Sequence, residues 1–282
     1  MKKIAWVTDS TAFLDDELKN NPDLYSIPLT VLLDGEEFLD GIDLTSEQLF
    51  ERLKHLNNPP KTSQPSIGAF QELYEKLSKE YEQIVSVLLS SKLSGTFSSS
   101  EQAAQLVDIP ITSIDSKILA YPLSVLLKRA IETAASGKTI EEVRADVENI
   151  RDSNETYVVV GSLEQLHRSG RMSGVQFYLG SMLKVKPIIS IAEGVLEVKE
   201  KARGDKKAKE KMIEYLRSSY EKNQFKEAYI LYGLHLESAE EWKNELQEEF
   251  PNLHFYCCPL GATIGVHAGE NTLGISWYNE LK

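Results

Sequence analysis

The chain has 282 residues, enough for one large domain or two modest ones, and its 41% hydrophobic content favours packed cores over disorder. Its 43 acidic residues outnumber 31 basic ones, and the net charge of −12 argues against a nucleic-acid partner and against electrostatic adsorption on anionic membranes. The net charge does not exclude transient membrane contact through an apolar surface. No apolar run reaches transmembrane length and the N-terminus is unlike a signal peptide, so we expect a cytoplasmic protein.

The first half of the chain alternates strand-like and helix-like segments. Strands are predicted at 4–10, 25–33, 84–89 and 111–116, and helices at 15–20, 45–56, 70–77, 98–106, 123–135 and 139–152. Such alternation is typical of a parallel sheet with helices on its faces, so we predict a three-layer α/β/α unit. Pro28 places the second strand at a sheet edge or a bulge.

In the second half of the chain the predicted strands and helices no longer alternate regularly. Strands are predicted at 157–161, 186–191, 195–201, 228–234, 253–259 and 274–278, and helices at 175–183, 205–223 and 238–249. Glu193-Gly194 indicates a hairpin, so this sheet should be mixed. We therefore predict a two-layer α/β unit and divide the chain into an N-terminal domain, 1–155, and a C-terminal domain, 156–282.

A polar turn after the apolar strand 84–89 is the first candidate site. Gly95 permits a tight turn, and Ser94, Thr96 and Ser98 add hydroxyl donors at the start of a helix. These residues could be N-cap and turn residues only. Their position at the carboxyl end of a parallel strand favours a ligand such as a carboxylate or a phosphate.

His267 lies in a glycine- and alanine-rich segment, 259–270, which we expect to be a loop. A histidine there could hydrogen-bond an acid held at Ser94 near neutral pH. Ser94, His267 and Asp9 can also be written as a triad, although no GxSxG elbow occurs. An acyl hydrolase or acyltransferase therefore stays open as an alternative, as does a small-anion-binding regulatory protein.

The cysteines and histidines do not indicate a metal site. Cys257 and Cys258 are adjacent in a predicted strand, so we expect reduced thiols on opposite faces. The histidines are dispersed and no cofactor motif occurs, so we expect neither a metal nor a cofactor.

Four basic residues stand out against the acidic background: Arg168, Arg171, Lys201 and Arg203. Such a cluster is either a solvated face or a patch that suits docking of a phosphate-bearing partner site.

Taken together, the motifs resemble those of the DegV family of bacterial fatty-acid-binding proteins, and the resemblance runs essentially end to end. The matching segments are 7–11, 39–43, 61–66, 93–97, 166–174, 183–188 and the closing IGVHAG at 264–269. The resemblance implies a two-domain α/β fold that binds one long-chain fatty acid and has no catalysis of its own.

The resemblance also implies the binding residues. Thr62 and Ser94 would donate to the fatty-acid carboxylate, with His267 nearby and Ser63 as a helper, and Thr96 belongs to the same hydroxyl-rich turn as Ser94. Hydrophobic side chains of the predicted helix 175–183 would either line the acyl tunnel or belong to the core: Phe177, Leu179, Met182 and Leu183.

A partner is implied as well. The ATP-binding subunit of a fatty-acid kinase would phosphorylate the bound carboxylate, and the acyl phosphate would enter phospholipid synthesis. Arg171, Arg203 and the region around His267 would face this kinase. The chain departs from the family's closing HxGPG pattern at Glu270, which places an acid beside the site.

Overall fold

The computed structural model describes residues 3–172 and 185–281. Its first layer is a four-stranded parallel sheet in the order β2-β1-β6-β7. The strands are β1 Ile4–Asp9, β2 Leu24–Ile27, β6 Gln83–Leu88 and β7 Ile111–Asp115. The predicted parallel sheet is therefore confirmed, and its central strands consist almost entirely of buried residues.

The first half of the chain also contains the helices α1 Asp16–Lys19, α2 Ser46–Leu53, α3 Ile67–Leu77, α4 Thr96–Ala104, α5 Ala120–Ala135 and α6 Ile140–Asp152. Helix α2 packs against Val31 and Leu33, and others cover the two faces of the parallel sheet. Helices α3 and α4 pack together over one face, while α5 covers the other with α6 behind it. Capping boxes start α2 at Thr45 and α6 at Thr139, where the segments Thr-Ser-Glu-Gln and Thr-Ile-Glu-Glu have the sequence form of such a box.

A small antiparallel sheet, in the order β4-β3-β5, corrects the prediction of one strand over 25–33. Its strands are β3 Thr30–Leu33, β4 Glu36–Leu39 and β5 Lys61–Ser63. The chain leaves the parallel sheet after Ile27 and enters the small sheet at Thr30, because Pro28 cannot donate to a ladder. Strand β5 carries Thr62, so this sheet places one candidate binding residue.

The second half forms a six-stranded mixed sheet in the order β10-β9-β8-β13-β11-β12, as expected. The strands are β8 Asn154–Val159, β9 Val185–Ala192, β10 Val195–Arg203, β11 Glu227–Tyr232, β12 His254–Pro259 and β13 Leu273–Tyr278. Within residues 154–172 and 185–281, these strands are accompanied by the helices α7 Leu163–Arg168, α8 Asp205–Asn223, α9 Leu236–Glu249 and α10 Gly261–Ala268. The predicted helix over 175–183, with its candidate tunnel residues, lies outside the described residues.

The two sheets share one hydrophobic core. Helices α8 and α9 cover one face of the mixed sheet around Trp242 and Leu216, and α5 contacts β11 and β12 on the other. Cys257 and Cys258 are free thiols that pack into the cores on opposite faces of the sheet, as predicted. The division of the chain near residue 155 stays a prediction.

Residues 261–268 form helix α10, so the expectation of a loop over 259–270 was wrong. Tertiary packing explains the helix despite its glycines. A Cβ atom added to Gly265 would lie 2.9 Å from the Phe50 ring and 3.2 Å from Leu49, so glycine lets α10 approach α2 closely. The result is a buried helix that carries His267 near its C-terminal end.

Candidate functional site

An apolar space lies between the parallel and mixed sheets. This cavity has a volume of about 100 Å³. Aliphatic side chains from both sheets and from the loops after their strands form most of its wall, including Leu89, Ile118, Val158, Ile189, Ile191 and Leu196. Its wall is therefore suited to an apolar chain.

Polar residues from distant parts of the sequence meet at the wall of this cavity. Thr62, Ser94, Arg171 and His267 line it together with Gln64. The Thr62 hydroxyl lies 2.8 Å from His267 Nε2, across 205 positions of sequence. The structure thus brings three predicted binding residues, Thr62, Ser94 and His267, to one cavity.

Helix α4 begins at the Ser94 turn. Ser94 Oγ lies 2.9 Å from Thr96 Oγ1 and accepts a hydrogen bond from the Thr96 backbone N–H at 3.4 Å. Thr96 is fully buried and does not line the cavity, so its contact is with Ser94. A Cβ atom on Gly95 would overlap the Gln64 side chain, so the glycine leaves room for Gln64 at the cavity wall.

The electrostatics of His267 favour a neutral ring. Burial, reinforced by the positive charge of Arg171, lowers the pKa of His267 to about 4. A neutral ring has one donor and one acceptor nitrogen. If Nε2 carries the proton and donates to Thr62, the Thr62 hydroxyl proton is free for a ligand, so this tautomer makes Thr62 a donor toward the cavity.

Arg171 lies at the cavity wall rather than only on an outer patch. Its half-buried guanidinium donates to the backbone carbonyl of Ser169 at 2.6 Å, and burial lowers its pKa. Arg203 is exposed at the end of β10 and does not line the cavity. Ser63 is also exposed, and its hydroxyl donates to the Gln64 carbonyl at 3.3 Å.

The alternative triad is not assembled. Asp9 is fully buried, and its carboxylate accepts from the Thr11 N–H and hydroxyl and from the Leu89 N–H at 3.0, 2.6 and 2.7 Å. Burial raises the pKa of Asp9 to about 6, against these hydrogen bonds. Asp9 therefore joins the ends of β1 and β6, while His267 bonds Thr62 rather than Ser94.

Gln64 is a site residue without a predicted role. It belongs to the hydroxyl-rich segment 61–66, but its place beside Gly95 depends on how β5 meets the α4 turn. The described residues contain no cluster of three or more potential metal ligands. Across residues 3–172 and 185–281, no helix has the length and apolarity needed to cross a bilayer.

Two packed sheets enclose an apolar cavity with hydroxyl groups at its wall, an arrangement typical of a site for a small ligand. A family model described as "Uncharacterised protein, DegV family" matches residues 3–280. The chain belongs to the DegV family.

Its relatives and structural neighbours cover nearly the whole chain. A DegV domain-containing protein of Listeria innocua is 32% identical, with 98% of each chain covered. The crystal structure of DegV, a fatty acid binding protein from Bacillus subtilis, is 36% identical with a TM-score of 0.89 and covers 99% of each chain. A DegV family protein from Thermus thermophilus, described for its fatty acid binding, is 33% identical with a TM-score of 0.90 over 98% of this chain and 99% of that one.

Proposed function

We propose that this protein binds one long-chain fatty acid, with the acyl chain buried between the sheets and the carboxylate held by Thr62 and Ser94. The observation that carries the proposal is one cavity with aliphatic side chains along most of its wall and the Thr62–His267 pair and Ser94 beside them. Fatty-acid binding by the Bacillus subtilis and Thermus thermophilus relatives supports it.

The acyl chain supplies most of the binding free energy. At about 0.8 kcal/mol per buried CH₂, roughly fifteen methylenes offer on the order of 12 kcal/mol before the cost of ordering the chain. The cavity has to widen around such a ligand, because its volume is about 100 Å³. The hydrogen-bond donors then fix which end of the ligand lies where.

The carboxylate is held mainly by neutral donors. With the proton of the neutral ring on Nε2, His267 donates a hydrogen bond to the Thr62 oxygen, the Thr62 hydroxyl donates a hydrogen bond to the carboxylate, and Ser94 donates another from the α4 turn. Ser63 is exposed and Thr96 contacts Ser94, so both act indirectly. Hydroxyl donors leave the carboxylate oxygens available for reaction, since no lysine of residues 3–172 and 185–281 lines the cavity.

In this proposal the protein is a cytoplasmic carrier and not an enzyme by itself. A kinase partner transfers the γ-phosphoryl group of ATP: a carboxylate oxygen attacks phosphorus, the bond to the β-phosphate oxygen breaks, and ADP leaves. The acyl phosphate then serves phospholipid synthesis. Arg203, exposed at the end of β10, would contact the kinase together with the outer side of Arg171, and transient membrane contact would deliver the lipid.

Mass spectrometry of an organic extract of the purified protein tests the proposal. We expect C14–C20 fatty acid in near-stoichiometric amount, or stoichiometric uptake of added hexadecanoate by delipidated protein. A protein whose extract contains no fatty acid, and that takes up none when fatty acid is added, would contradict the proposal. Hydrolysis of activated acyl esters that is lost with Ser94→Ala would favour the acyltransfer alternative, and a bound small anion without lipid would favour the regulatory one.

A further inference from the structure

Two sequence segments that carry the family resemblance, 7–11 and 39–43, supply no donor to the proposed carboxylate site. The structure brings these segments together through two buried carboxyl groups. Asp9 lies at the end of β1 and Asp40 follows β4, and their exposed fractions are 0% and 4%. Ser10 joins the segments, because its hydroxyl donates to Asp40 at 2.9 Å. A buried pair of acids is costly for a fold, so a role other than packing is expected.

The acid pair lies directly behind the wall of the cavity. Asp9 accepts hydrogen bonds from Thr11 and from the Leu89 backbone N–H, and both of these residues line the cavity. Asp40 faces the first turn of α10 beside the backbone N–H of Thr263, which also lines the cavity. A movement that separates Thr11, Leu89 and Thr263 would therefore let water reach both carboxyl groups.

The hydrogen-bond donors to the acid pair are uncharged. Within residues 3–172 and 185–281, Asp9 and Asp40 accept from hydroxyls and backbone N–H groups and pair with no lysine or arginine. Burial raises the pKa of Asp40, and burial reinforced by the charge of Asp40 raises the pKa of Asp9 to about 6. At neutral pH the closed cavity therefore keeps two like charges away from water, which disfavours the closed state.

Other ionisable groups face the acid pair from the elements packed around it. They are two residues of the groove beside Asp40 and two residues of the cavity wall: Lys19, Glu47, Arg171 and His267. Lys19 and Glu47 are exposed and carry opposite charges, so solvent screens their effect on the pair. Arg171 stays charged at neutral pH. His267 has a pKa of about 4 behind the closed wall and would be protonated more readily once hydrated, so its titration opposes that of the pair.

We propose that Asp9 and Asp40 form an acid-sensitive switch of the cavity wall, which favours opening for lipid exchange when both are ionised and keeps the wall closed when Asp9 is protonated. The cavity of about 100 Å³ has to widen around an acyl chain, and hydration of the carboxylates favours that opening. The closed state has the higher affinity for the proton, so acid favours the closed state. The inference rests on the proposed function and adds a control of lipid exchange by pH.

The dissociation rate of an acyl probe without a titratable group tests the switch. Methyl parinarate, a fluorescent polyene ester, is released into excess phosphatidylcholine vesicles and followed by stopped-flow fluorescence, in a His267→Gln background that removes the opposing titration. If the pKa of Asp9 is about 6 in the closed state and 3.8 in the open state, dissociation should slow about fourfold between pH 7.5 and pH 5.5.

Two variants of the acid pair and one control complete the test. Asp9→Asn should abolish the dependence of the dissociation rate on pH. Asp40→Asn should reduce it and slow dissociation at pH 7.5 more than about twofold, because one of two buried charges is gone. The exposed Glu72→Gln variant of α3 should behave like its parent. Asp40→Asn keeps the test decisive if circular dichroism shows that Asp9→Asn does not fold.

The outcomes separate the switch from the carrier function. Dissociation that becomes faster toward pH 5.5, or an unchanged pH profile in Asp40→Asn, overturns the switch while tight lipid binding leaves the carrier function intact. Failure of both methyl parinarate and hexadecanoate to bind the wild-type protein overturns the carrier function itself.

Discussion

Replacing Thr62 with valine removes one hydroxyl while keeping the shape of the side chain. In the proposed complex, this hydroxyl accepts from His267 Nε2 at 2.8 Å and donates to the carboxylate. A hydrogen bond to a charged group is worth about 1.5–3 kcal/mol, so Thr62→Val should weaken hexadecanoate binding by about ten- to a hundredfold. Ser94 and the buried chain remain, so binding should not vanish.

The same substitution leaves the ring nitrogen of His267 buried without a partner in both the free and the bound protein. That cost cancels in the affinity but lowers the free energy of unfolding by about 1–3 kcal/mol. Calorimetric titration measures the first effect and urea unfolding the second. The two measurements separate loss of a ligand contact from loss of stability.

Three controls define the result that refutes this reasoning. Methyl hexadecanoate, which carries no charge, should lose less than about tenfold with Thr62→Val. Thr62→Ser should restore most of the affinity, and Thr112→Val, in a half-buried position of β7 away from the cavity, should change nothing. Hexadecanoate affinity within twofold of the wild type in Thr62→Val would show that Thr62 does not hold the carboxylate.

Leu196→Trp should fill part of the cavity and reduce hexadecanoate binding more than tenfold while circular dichroism stays unchanged; undiminished uptake would place the chain elsewhere. Gly95→Ala should leave thermal stability nearly intact, because the flexible end of Gln64 can move away, yet change ligand affinity through that displacement. His267 has a pKa of about 4 in the folded protein, so its ring is protonated at lower pH there than in the unfolded chain. The free energy of unfolding therefore falls as pH drops from 6.5 to 4. His267→Gln lacks this titration, so as pH falls from 6.5 to 4 its free energy of unfolding should rise by about 3 kcal/mol relative to that of the wild type, as measured by urea unfolding. Free energies of unfolding that change in parallel with pH in the two proteins would contradict this prediction.

The regular elements followed from periodicity and caps. Alternating strand and helix signals, the capping boxes at Thr45 and Thr139 and the Glu193-Gly194 turn are local features, and they appear where expected. Helix α10 could not be predicted from local features, because its glycines have poor helix propensity and because its close packing against Phe50 is a tertiary contact. The small sheet was missed because its strands are short and because β5 pairs with β3 from a distant part of the chain, although β3 and β4 form a local hairpin.

The site was predictable as separate pieces rather than as an arrangement. The hydroxyl-rich turn after the strand 84–89 indicated Ser94, and the resemblance grouped it with Thr62 and His267. No local pattern shows that Thr62 and His267 lie 2.8 Å apart, or that Arg171 turns toward the cavity while Arg203 stays outside. Those facts arise from the packing of the two sheets, which brings distant loops together.

A crystal structure with 16-bromohexadecanoic acid tests the central claim most directly, because anomalous scattering locates the bromine at the end of the chain. The account predicts bromine among aliphatic residues such as Ile191 and Leu196 and a carboxylate within hydrogen-bond distance of the Thr62 and Ser94 hydroxyls. Bromine beside Thr62, or a ligand bound outside the cavity on the protein surface, would contradict it.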